Sequence, residues 1–91
     1  MKINFKKVEY VADFEGHTEI RDTAKYVANA MMFTGSRLLD IGLEDLAREI
    51  YYSEGDVEVP EQYAPYIWEV VNGSMMMACI KRRIKELLNI K

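Results

Sequence analysis

The stretch RDTAKYVANAMMFTG, residues 21–35, decides the fold. Ala24, Val27, Ala28 and Met31 fall at i, i+3, i+4 and i+7, the spacing of one helical face. Tyr26, Ala30, Met32 and Phe33 widen that face, and only Lys25 and Asn29 interrupt it. A helix that is apolar over most of its circumference is buried on most sides. Asp22 is placed to cap its start, because a short carboxylate accepts from backbone N–H groups left free there. Gly35 suits the left-handed position past its last turn. The reading is of a core post against which the other elements pack.

Upstream of the post, Ile3 and Phe5 alternate with polar neighbours, and Val8, Tyr10, Ala12 and Phe14 alternate on the opposite parity. Strand side chains change face with period two. A parity switch at Lys6–Lys7 therefore predicts a β-bulge within one strand. Glu15–Gly16 is a turn signal, with Gly16 free to take positive φ. Residues Lys2–Arg21 thus read as a β-hairpin, with Thr18–Arg21 as the return strand. A lone hairpin is marginal in water, so it must pack on the helices.

Downstream, Leu43, Leu46, Ala47 and Ile50 mark a second helix over Asp40–Tyr52, capped by Asp40, with Leu39 extending its stripe. Val57–Val59 is a candidate third strand at an edge of the hairpin. Proline is tolerated in a first helical turn, so Pro65 starts a third helix near Ala64, after a turn around Pro60–Tyr63. Its apolar face is Ile67, Val70 and Val71, with Tyr63 or Tyr66 and Trp68 beside it, and Asn72–Gly73 ends it. Ser74 is the expected cap of a last helix with a stripe of Met77, Ile80, Ile84, Leu87 and Leu88. The expected architecture is α+β: an N-terminal hairpin packed on four helices, in a single domain spanning residues 1–91.

Composition narrows the function. The chain has 91 residues, a net charge of −3, one cysteine and one histidine. No apolar run approaches the roughly 20 residues of a membrane span. MKINFKK lacks the apolar core of a signal peptide. The lone Cys79 excludes an internal disulfide, and together these features fit a cytoplasmic location. Charge is unevenly placed: residues 1–42 balance, residues 43–73 are strongly acidic and residues 74–91 are basic.

Residues able to carry chemistry are few. His17 sits beside the hairpin turn without the companion ligands of a zinc site. Cys79, within MMMACIK, reads as a buried structural thiol. The run Glu54-Gly55-Asp56-Val57-Glu58 lacks the spacing of a calcium loop. Phosphate-binding glycine motifs and a nucleophile elbow are missing. No catalytic, cofactor or metal residue is therefore assigned, and an unrecognised enzyme ranks third among the functional classes. KRRIK in the last helix makes a nucleic-acid regulator the second reading, against an acidic overall balance.

The first reading is a protein-binding or assembly module. So small a domain cannot cover all of its methionines and aromatic residues, and these types together with arginine are enriched at interfaces. Met31, Met77 and Trp68 read as core. Tyr52, Met75, Met76, Arg82 and Arg83 read as a partner surface, and the two charged segments favour pairing between copies in a homodimer. The pattern DTAKYVANAM over Asp22–Met31, followed by DLAREIYYSEGDVEVPEQ over Asp45–Gln62, resembles small phage, prophage and mobile-element proteins of gut bacteria. That resemblance implies an accessory or assembly role and carries no functional residues with it.

Overall fold

The structure, a computed structural model, describes residues 1–33 and 41–90. The elements run β1 (Lys2–Ile3), β2 (Val8–Val11), β3 (Thr18–Arg21), α1 (Ala24–Phe33), α2 (Ile41–Tyr51), β4 (Val57–Glu58), α3 (Ala64–Asn72) and α4 (Ala78–Leu87). A 3-10 turn over Glu61–Tyr63 leads into α3. The fold is α+β, as expected. The two strand pairs are separate: β1 pairs antiparallel with β4, and β2 pairs antiparallel with β3.

Helix α1 is the post. It buries Ala24, Val27, Ala28 and Met31 and packs against both α2 and α3, while α4 packs against α3 and β2. Asp22 caps α1 by accepting from the Ala24 N–H at 3.1 Å. Helix α2 buries Leu43, Leu46, Ala47 and Ile50, the four residues of its predicted stripe. Pro65 stands in the first turn of α3, where it breaks no helical hydrogen bond. Val27, Met31, Leu46, Ile50, Ile67, Val70, Ile80 and Ile84 all belong to one buried cluster, joined by Ile3, Phe5, Val8 and Tyr10 of the strands. The expected roles of Gly35, Leu39 and Asp40 lie outside the described residues.

Four details differ from the sequence reading. The parity switch at Lys6–Lys7 is a turn and not a bulge. Asn4 Oδ1 accepts from the Lys6 N–H at 3.0 Å, and the Asn4 carbonyl accepts from the Lys7 N–H at 3.3 Å. The chain reverses there, so the hairpin proper spans Val8–Arg21, and Lys2–Ile3 pairs with Val57–Glu58 instead. Second, Ser74 does not cap α4. Its Oγ donates to the Val71 carbonyl at 2.6 Å, which closes the end of α3. Met77 is then the residue before α4, and it is 48% exposed, not part of the core. Third, Cys79 and Trp68 are half-buried against the core and not enclosed within it. Fourth, β2 ends at Val11, so Ala12 and Phe14 do not continue its inward face.

The chain start is fixed to the strand pair: Met1 N donates to the Val59 carbonyl at 2.9 Å, and Val59 N–H returns a bond to the Met1 carbonyl at 2.7 Å. At the other end of this layer Thr23, 3% exposed, donates to the Phe5 carbonyl twice, from Oγ1 at 2.7 Å and from N–H at 2.8 Å. Thr23→Val keeps the shape and the backbone bond but removes the hydroxyl donor, so it should cost about 1 kcal/mol. Leu46→Ala and Ile80→Ala should each cost about 2–5 kcal/mol through lost transfer energy and an unfilled cavity. Urea melts of the three variants check both magnitudes, and the order of the losses.

Candidate functional site

The hairpin and α4 together enclose a groove. In the β2–β3 ladder, Val8 lies opposite Arg21 and Tyr10 opposite Glu19, and the Ala12 N–H donates to the His17 carbonyl at 2.7 Å. Antiparallel ladders alternate bonded and non-bonded pairs. The backbone groups of Glu9 and Val11 consequently point to the other edge of β2, where α4 runs. Arg83 Nε closes part of that edge, donating to the Glu9 carbonyl at 3.0 Å. Beyond Arg83 the space opens into a groove of about 660 Å³ lined by Tyr10, Val11, Phe14, Cys79, Arg82 and Glu86, among others.

Polar contacts set the groove floor. Tyr10 is 2% exposed and its hydroxyl donates to Glu19 Oε2 at 2.9 Å. That bond to a carboxylate, and then burial, push the Tyr10 hydroxyl pKa up, since both disfavour a second negative charge. Cys79 shares the groove with two arginines, but His17 is not in its lining. The lining thus sets two guanidinium groups and several carboxylates around the thiol, with no imidazole among its residues.

The hairpin tip is built by Asp13. Its Oδ1 accepts from the Glu15 and His17 N–H groups at 3.0 and 3.1 Å, and its Oδ2 lies 2.6 Å from His17 Nδ1. Gly16 takes the positive φ of 88° that the turn demands. Asp13, Glu15 and His17 are all exposed, and their ligand atoms lie within 4.8 Å of one another. Both Asp13 oxygens already serve the turn, so the group is accounted for as the network that closes the hairpin.

The residues predicted as one partner surface fall in separate places. Tyr52, 73% exposed, sits beside Tyr51 in the shallow groove between α1 and α2. Met75, 94% exposed, lies beside Tyr26, whose hydroxyl accepts from the Met75 N–H at 3.2 Å. Met76 is packed partly against the core. Arg82 and Arg83 alone reach the hairpin groove. The Glu54–Glu58 run is structural: Glu54 pairs with Lys6 at 3.7 Å and Glu58 with the N-terminal amine at 3.4 Å.

Sequence reasoning missed the hairpin itself as a surface. Val11, Phe14 and Ile20 are all well exposed, and Phe14 fully so. The signal was present, since Phe14 adjoins the Glu15–Gly16 turn where a strand must already have ended. No family model, curated protein or solved structure matches the chain.

The hydrogen bonds from His17, side chain first and then backbone, hold the Asp13 pKa below the ordinary aspartate value. A carboxylate with a depressed folded pKa stabilises the fold above its unfolded pKa, and that contribution disappears as pH falls through the folded value. The tip should thus stay ordered through the usual carboxylate range and loosen only at more acidic pH. The backbone amide resonances of Glu15 and His17, followed by NMR through an acid titration, should shift with a midpoint below that of a free aspartate. Asp13→Ala should abolish that transition.

Proposed function

We propose that the chain is a non-enzymatic protein-binding module that assembles with itself, and that the hairpin is its binding element. The observation that carries this reading is the apolar exposure on the hairpin. Val11 and Phe14 line the groove mouth beside Thr18, and Ile20 shares the sheet face of Thr18 two residues along β3. Scattered apolar residues on a surface mean little, but several gathered on one small element mark an interaction site. The residue types agree with interfaces, where aromatic side chains and arginine are enriched. The resemblance to phage and mobile-element proteins points the same way, toward an accessory or assembly role.

The nucleic-acid reading is weakened by how α4 uses its cations. Lys81 Nζ donates to the Asn72 carbonyl at 2.8 Å. Arg83 is held by the Glu9 carbonyl, and Lys85 Nζ lies 5.6 Å from the Trp68 ring centroid. Arg82 projects toward the groove instead. Phosphate binding needs cations gathered on one free face. Among the described residues no helix is long and apolar enough to cross a membrane.

Sedimentation equilibrium tests the proposal. The protein should associate reversibly at roughly tens to hundreds of micromolar, the range suited to a small interface. Phe14→Asp should weaken association without lowering the melting temperature, because Phe14 makes no core contact. Fluorescence anisotropy should show no binding to mixed-sequence DNA near physiological salt. Micromolar DNA binding that falls steeply with added salt would reverse the ranking of the two readings.

A further inference from the structure

The two edges of the hairpin are treated differently. The β2 edge lies along α4 and is partly closed by Arg83. The β3 edge faces outward: by the ladder alternation, Thr18 and Ile20 direct their N–H and C=O groups away from β2. All four residues of β3 are exposed. An open edge is a template for another strand, and natural proteins usually blunt it with proline, a bulge or an inward charge. Thr18–Arg21 contains neither proline nor glycine, and no bulge interrupts its pairing with β2.

We infer that β3 pairs antiparallel with β3 of a second copy about a twofold axis at Ile20, joining two hairpins into one four-stranded sheet. This rests on the self-assembly proposed above and names its strand and register. Charge selects the register. With the axis at Ile20, Glu19 stands opposite the partner's Arg21, and the symmetry repeats the pair. With the axis at Glu19, two glutamates face each other, and with the axis at Arg21, two arginines do. Like charges directly opposite are unfavourable and opposite charges favourable. With the axis at Thr18, the incoming strand runs into the Asp13–His17 turn.

The chosen register also places its apolar residues together. Ile20 meets the partner's Ile20 across the axis, in a pair that exchanges two backbone hydrogen bonds. Val11 lies diagonally from Ile20 on β2, on the same face. Val11 and Ile20 are 55% and 63% exposed in the single copy. Glu19 is pre-positioned for its partner by the Tyr10 hydroxyl, and Arg21 has no ion pair among the described residues.

A charge-reversal experiment on the full chain tests the register. Arg21→Glu alone and Glu19→Arg alone should each weaken association roughly tenfold, because each sets like charges opposite one another twice. An equimolar mixture of the two variants should recover it, since every opposed pair becomes complementary. Ile20→Cys in a Cys79→Ser background should oxidise to a disulfide dimer, while Thr18→Cys should not. The facing Cα atoms in a hydrogen-bonded antiparallel pair are about 5.5 Å apart, within disulfide reach. The cysteine pair also decides the matter if either charge variant fails to fold. Association that ignores the charge reversals, or crosslinks through Thr18→Cys as readily as through Ile20→Cys, overturns the register while self-assembly stands. A wild-type chain that remains monomeric throughout overturns both.

Discussion

The Phe5 carbonyl, with its two bonds from Thr23, is the joint on which the arrangement depends. Phe5 and Thr23 are both buried, and a buried carbonyl left unpaired would cost stability on the order of 1–3 kcal/mol. The two bonds tie the turn after β1 to the residue before α1. Between those points lies the whole hairpin, so β2 and β3 leave and return at a fixed distance. The Thr23 carbonyl then accepts from the Val27 N–H at 2.9 Å, which begins the helix. One residue thus sets the base of the hairpin and the axis of the post together.

What was legible in the sequence follows from this division. Helical stripes were readable because burial imposes a period on the side chains themselves. The stripe of α2 and the Pro65 start of α3 appear as read. Strand pairing was less legible, because it depends on which backbone meets which. The parity switch at Lys6–Lys7 was real, but side-chain alternation cannot distinguish a bulge from the Asn4 turn that causes it. Ser74 illustrates the same limit. A hydroxyl with an acceptor behind it and a helix ahead can serve either, and here it bonds backward to Val71. Helix α4 starts only at Ala78, with Met77 before it and exposed.

The candidate surface was harder still to read, since it is assembled across the chain. Arg83 and Glu9 are separated by most of the sequence, and no local pattern announces their bond. Three of the cations in KRRIK are also held by neighbours that no local pattern announces, at Asn72, Glu9 and Trp68. The acidic and basic segments likewise do not neutralise each other by ion pairs among the described residues. Arg48 pairs with Glu44 and Asp45 within the acidic segment, and Arg83 approaches Glu86 within the basic one. The cations that cross between the segments seek a carbonyl and an aromatic ring instead, at Asn72 and Trp68.

That allocation bears on how the hairpin can function. Two strands on their own are marginal, and need a packed face to persist. Helix α4 supplies it by packing on β2 and by fixing the β2 edge through Arg83. A hairpin braced along one side can present its other side without fraying. The exposed strand then carries Glu19 and Arg21 on one face and Ile20 on the other, a sequence too charged for indiscriminate pairing. Charge on an open edge usually serves to repel all comers. In the pairing proposed above, the opposite signs two residues apart admit one antiparallel register and oppose its neighbours, so the same residue pattern that protects the edge would also select the register.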